Sequence, residues 1–278
     1  MRTLAAAVLV LLTMFTAFNP ASAQPKRLRW ILNGPAVAAF AKDADASRYL
    51  AGTQPFVMQR KLAQVVVPQE WQAVIVRSYT SYAAIRRAFD NGAIGPDVGA
   101  ILYDNEHWTF TPLEEQRGVA DFTRRAAELV HAHHLLFIAT PAVNLARVLG
   151  GGGGERRYES FLQLGVIGSS ARYADAVDIQ AQGAERNVGM FADFVQRAAA
   201  QAREANPHVL VFVGISTNPS GQRVSADDVM RAVTATQADV DGYWFNVPQR
   251  SEYCPNCSEF RPDIAIDVFR RLMNGQRT

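Results

Sequence analysis

The chain has 278 residues, 49% of them hydrophobic and 19% charged, a composition that suits one large globular domain with a sizeable core. Its 28 basic and 26 acidic side chains nearly cancel and form no basic stripe, which argues against nucleic acid or an anionic membrane surface as a partner. Residues 1–23 read as a secretory leader: Arg2 supplies the positive end, Leu4 to Phe18 is apolar, and Ala21-Ser22-Ala23 is a small-residue cleavage site. The mature chain is then expected to start near Gln24, with a secreted or periplasmic location. No later run of about 18 uninterrupted apolar residues suggests a membrane span. Without Arg2 the 28 basic side chains become 27 against 26 acidic ones, a net charge of +1.

After the leader, residues 24–278 read as a single domain. Leu28–Asn33 is the first strand-like apolar run. Asp43–Pro68 has no clear period; Gln64–Val67 is its best strand. Ala73–Tyr79 follows as a strand and Ser81–Asp90 as a helix. Next come a strand at Val98–Tyr103, a helix at Leu113–His133 and a strand at Leu135–Thr140. Five consecutive glycines, Gly150–Gly154, suit a flexible loop at the mouth of the domain, where it could act as a lid. No Lys-Ser/Thr follows them, so a phosphate cradle is disfavoured. The remaining units are a helix at Glu155–Arg172, a strand at Ala176–Gln180, a helix at Val188–Ala205 and a strand at Val209–Ser216. A helix at Ser225–Gln237, a strand at Gly242–Val247 and a helix at Pro262–Asn274 complete the chain. Ser225 with Asp228 has the spacing of a capping box.

The strands are rich in Val, Ile, Leu and Phe without alternation, as parallel strands covered on both faces require. Repeated β-then-α units over about 250 residues leave a (β/α)8 barrel or an open doubly wound sheet. Polar residues follow nearly every strand: Asn33, Arg77, Asp104, Glu106, Thr140, Gln180, Gln182, Ser216, Asn218 and Asn246. A barrel gathers all its strand ends around one mouth and explains that distribution better than a single switch point.

The centre of this pattern is Ile101-Leu102-Tyr103-Asp104-Asn105-Glu106-His107-Trp108. An apolar strand runs into two carboxylates at i and i+2, which share a face. Like-charge repulsion and desolvation prepare one of them to act as an acid while the other stays ionised. Arg77 could pair with them or make a structural ion pair. Gln180 and Gln182 share a face by the same rule and suit hydrogen bonds to a polar ligand. Glu185 reads as a second cleft carboxylate or as a residue favoured at a helix amino terminus. Asn33, Asn218 and Asn246 are further ligand-binding candidates. Trp108 and Trp244 are candidate platforms for sugar rings, whereas Trp30 and Trp71 read as core.

No G-x-S-x-G elbow is present and no G-x-G-x-x-G follows a strand, so neither a serine hydrolase nor a dinucleotide cofactor is expected. The histidines offer no third ligand for a metal. Cys254 and Cys257, the only cysteines, read as a short disulfide pinning a loop.

The strand end Tyr-Asp-Asn-Glu-His-Trp resembles the D-x-E ending of the chitinase-like glycoside hydrolases of family 18. That resemblance implies a barrel in which Glu106 protonates the glycosidic oxygen and Asp104 orients an acetamido group. The family's further aspartates are replaced here by Leu102 and Gly99, so the likeness covers about six residues and the barrel pattern. The leading expectation is therefore an exported glycosidase-like enzyme acting on a glycan. Two alternatives remain open: a metal-assisted lyase, cyclase or hydrolase with Mg²⁺ or a similar hard cation held by Asp104 and Glu106, with or without Glu185, and a carbohydrate-binding protein without turnover.

Overall fold

The computed structural model describes residues 27–59, 66–154, 156–252, 254–257 and 259–275. The expected leader lies outside them. The chain starts with β1 (Arg29–Asn33), α1 (Gly34–Lys42), α2 (Ala44–Ala51), β2 (Phe56–Gln59), β3 (Val74–Tyr79) and α3 (Tyr82–Asp90). It continues through β4 (Val98–Tyr103), α4 (Leu113–Arg117), α5 (Val119–Ala132), β5 (Leu136–Ala139), α6 (Leu145–Val148), α7 (Arg156–Gln163) and α8 (Val166–Ala171). It ends with β6 (Ala176–Ile179), α9 (Val188–Ala205), β7 (Leu210–Ser216), α10 (Ala226–Thr236), β8 (Gly242–Asn246) and α11 (Pro262–Gly275). All eight strands pair in parallel and in sequence order, and β8 closes on β1, so the fold is a closed (β/α)8 barrel. Among the described residues, no helix is long and apolar enough to cross a membrane.

The seven strands read from the apolar runs are present with small changes at their ends. The eighth is not at Gln64–Val67. Val66 and Val67 carry no strand, positions 64 and 65 lie outside the described residues, and the strand is Phe56–Gln59. Two expected helices are divided. Leu113–His133 breaks at Gly118, which ends α4 and starts α5. Glu155–Arg172 breaks at Gly165, whose φ of 63° suits a residue without a Cβ. The capping box of α10 forms: the Ser225 side chain accepts from the Asp228 N–H, and the Asp228 side chain from the Ser225 N–H.

Two apolar clusters hold the barrel. The outward strand faces pack against the helices, where Trp30 and Trp71 are fully buried. The Trp30 ring lies edge-on to Phe269 of α11 at 5.0 Å and near Tyr243 of β8 at 5.7 Å, across the β1–β8 seam. The inward faces form a second cluster that includes Ile31, Phe56, Leu102, Ile138, Phe212 and Trp244. This apolar plug fills the middle of the barrel, so polar side chains gather at the carboxyl ends of the strands.

Candidate active site

A cleft of about 680 Å³ opens at those strand ends. Of the residues singled out in the sequence, Asn33, Asp104, Glu106, Trp108, Gln180, Gln182, Asn218, Trp244 and Asn246 all line it. Among the described residues no Lys or Arg lines it, and its acidic side chains are Asp104 and Glu106.

Asp104 is the inward residue directly after β4. Its Oδ1 accepts from Thr140 Oγ1 at 3.1 Å and from Gln180 Nε2 at 3.1 Å. Gln180 Nε2 also donates to the Thr140 carbonyl at 2.9 Å, which fixes the amide in this orientation. Glu106 follows on the same face. Its Oε2 accepts from Asn144 Nδ2 at 3.4 Å. Burial, and next the charge of Asp104, push the Glu106 carboxyl up to about 8; hydrogen bonds from Asn144 and Gln180 oppose the shift. Of the pair, Glu106 is therefore the carboxyl held toward its protonated form.

The loop after β4 is pinned on several sides. The Trp108 indole N–H donates to Thr111 Oγ1 at 2.7 Å, and Thr111 Oγ1 donates to the Thr80 carbonyl at 2.7 Å. Gln116 Nε2 donates to the carbonyls of Trp108 and Thr111, while its Oε1 meets His107 Nδ1 at 2.8 Å. The Phe110 ring braces Trp108 edge-on at 5.2 Å. Below the loop, Glu115 accepts from the Tyr82 and Ala83 N–H groups and from the Tyr103 hydroxyl. A carboxylate at the amino terminus of α3 complements the helix dipole and ties α4 to α3.

Across the cleft, Gln182 Oε1 and Trp244 Nε1 are buried without a hydrogen-bond partner among the described residues. Buried polar atoms are ordinarily paired, so these two are ready to meet a ligand. The Cys254–Cys257 disulfide, Cα–Cα 5.3 Å, also lines the cleft. It therefore shapes a wall of the site as well as pinning the loop after β8.

Two candidates fall outside the cleft. Arg77 alternates with the inward Val76 and Ser78, so it faces the outer layer, 5.9 Å from the Tyr79 ring centroid. It makes no pair with Asp104 or Glu106. Glu185 is fully buried and accepts from the Ser216 N–H at 2.8 Å, anchoring the end of β7. It also lies before the start of α9, whose N-cap is Asn187, so it is not a helix N-terminal residue. Burial pushes its carboxyl up to about 8. Glu185 therefore does not join Asp104 and Glu106 as a third metal ligand, and among the described residues no group of three or more His, Cys, Asp or Glu is arranged to hold a metal ion. The glycine run Gly150–Gly154 is likewise absent from the cleft lining. Gly152 N–H donates to Ser160 Oγ at 2.8 Å, which folds this segment against α7.

Three contributors escaped the sequence reading. Asn144 comes from the irregular segment after β5 and carries no periodic signal. Ser78 is an inward residue of β3 hidden beside Arg77. Asp178 lies inside the barrel, and the i, i+2 rule that selected Gln180 and Gln182 reaches it one step back along β6.

Neither a protein-family profile nor a curated protein sequence matches the chain. Solved structures match in fold. A candidate alpha-L-fucosidase from Bacteroides thetaiotaomicron VPI-5482 is 8% identical with a TM-score of 0.54, over 98% of this chain and 99% of that one. The spore cortex-lytic enzyme SleL of Bacillus megaterium QM B1551 is 9% identical with a TM-score of 0.50, over 90% of this chain and 75% of that one. At such identities the likeness is one of fold.

Proposed function

We propose that the protein is a glycoside-hydrolase-like enzyme acting on an uncharged glycan, with Glu106 as general acid/base and Asp104 as its ionised partner. The observation that carries this reading is Glu106 itself: a half-buried carboxyl raised to about 8 beside a second carboxylate, at the mouth of a barrel. A group that is protonated at neutral pH can give its proton to a glycosidic oxygen as the bond breaks. The adjacent negative charge of Asp104 faces the positive charge that develops on the sugar ring, or an acetamido group on it. Trp108 and Trp244 offer flat apolar surfaces for ring stacking, and the amides of Asn33, Gln180, Gln182, Asn218 and Asn246 suit sugar hydroxyls. Among the described lining residues there is no Lys or Arg, which favours a neutral substrate over a uronate or a sulfated sugar. The names of the two fold neighbours, a fucosidase and a cortex-lytic enzyme, agree with this class.

A panel of neutral oligosaccharides, followed by release of reducing ends, identifies the substrate. On that substrate Glu106→Gln lowers kcat by about 10²–10⁴-fold while binding survives, because the amide keeps the shape and hydrogen bonds of the acid. The wild-type rate falls as pH rises through about 8, where Glu106 loses its proton. Full turnover by Glu106→Gln removes this residue from the mechanism.

A further inference from the structure

Beneath the catalytic pair lies a third carboxyl. Asp178 is fully buried on β6, one inward step before Gln180, and neither of its oxygens has a hydrogen-bond partner among the described residues. The strand register explains its place. Leu102 pairs with Ile138 and Ile138 with Ala176. Two residues further on, Asp104 and Asp178 flank Thr140 from neighbouring strands, and all three point into the barrel.

An ionised carboxylate without partners in an apolar interior is very costly, whereas the neutral acid leaves one donor and its acceptors unspent. Burial and then the charge of Asp104 hold the Asp178 carboxyl well above the usual carboxylate range. The inward positions of β2, β3, β5, β7 and β8 carry no titratable group. Arg29 lies at the opposite end of the barrel, over the Phe56 ring. Among the described residues, the titratable groups that face Asp178 are therefore Asp104 and, beyond it, Glu106.

We propose that Asp178 is a positioning residue that holds a proton beneath Asp104 and presents its O–H to that carboxylate, so that three carboxyl groups in the barrel carry a single negative charge, borne by Asp104. Thr140 and Gln180 secure Asp104 Oδ1 from the side, and the proposed O–H of Asp178 would secure the same group from within. With its charge fixed in this way, Asp104 does not compete with Glu106 for the proton that Glu106 delivers.

This role rests on the acid/base reading of Glu106, and the test separates the two. Carbon-13 NMR of labelled Asp and Glu carboxyls follows each titration without any substrate. In the wild-type protein the Asp178 resonance is that of a protonated acid at pH 7. Asp178→Asn replaces one neutral donor by another, so Asp104 and Glu106 titrate as in the wild type. Asp178→Ala removes the donor, and the Asp104 midpoint rises by about one pH unit, the worth of a hydrogen bond to a charged group. An ionised Asp178 at pH 7 overturns the proposal, and this reading needs no variant to fold. A fall in the Glu106 midpoint in Asp178→Asn, or an unchanged Asp104 in Asp178→Ala, overturns it as well. None of these results depends on turnover, whereas full activity of Glu106→Gln would remove the catalytic reading and leave the titrations standing.

Discussion

Gln182 can lie across the mouth of the barrel because the residue beneath it has no side chain. Gly214 is an inward position of β7, and a Cβ there would stand 2.4 Å from Gln182 Oε1. That atom is the far end of a flexible side chain, and the nearest backbone atom, Gln180 Cα, is at an ordinary 3.5 Å. Gly214→Ala should therefore fold normally but push the Gln182 amide out of place. The expected result is a KM for the neutral glycan raised about tenfold, one hydrogen bond's worth, with kcat little changed. An unchanged KM would show that Gln182 does not meet the substrate. At this scale the sequence was informative wherever parity along a strand was certain. Asp104, Glu106, Gln180 and Gln182 share a face by counting alone. Arg77 did not yield to the same counting, because β3 is apolar on both sides and nothing in its sequence says which face is the interior. Glu185 was ambiguous for another reason: after a strand ends, alternation no longer determines direction.

The elements were legible where burial imposed long apolar runs, and obscure where the unit departed from β-then-α. β2 has four residues, two of them Met and Gln, and among the described residues only a short 3-10 turn, Gln69–Trp71, and no α-helix lies between it and β3. The alternation that revealed the other strands is missing there. The helix breaks at Gly118 and Gly165 were carried by single residues inside otherwise periodic segments. The seam between first and last strands depends on a different glycine. Gly242 pairs with Arg29, and a Cβ there would lie 2.1 Å from the Arg29 carbonyl oxygen and 2.7 Å from its carbonyl carbon. These are backbone atoms of a paired strand and cannot move aside as Gln182 can. Gly242→Ala must separate β8 from β1 and disturb the Trp30–Phe269 contact across that seam. It should cost at least about 3 kcal/mol in urea unfolding, at or beyond the usual range for overpacking. A variant within about 0.5 kcal/mol of the wild type would mean that the closure is more pliable than its geometry indicates.

For the molecule as a whole, the buried acids set the direction in which stability depends on pH. Glu106 and Glu185 are raised to about 8, and Asp178 is raised well above its ordinary value, in each case chiefly by burial. An acid whose pKa is higher in the folded state binds more protons folded than unfolded. Its contribution is fully favourable below the unfolded value, near 4.5 for a glutamate, and is lost as pH rises toward the folded value. Each such group lowers the unfolding free energy by about 1.4 kcal/mol per pH unit within that window. Glu159, Asp228 and Asp263 are shifted down by their hydrogen bonds and ion pairs and act in the opposite sense, below about pH 4. Those three are solvent-screened, so their share is small. The protein should therefore be most stable in mildly acidic solution and lose stability steadily from about pH 5 to pH 8. Glu185 isolates the effect, because it lies outside the cleft. In Glu185→Gln the amide oxygen can still accept from the Ser216 N–H, but the group no longer titrates. Urea unfolding at pH 5, 6.5 and 8 should give a declining wild-type series and a shallower one for the variant, by about one group's slope. Parallel series for the two proteins would mean that Glu185 ionises freely in the folded state, and that the end of β7 is open to water.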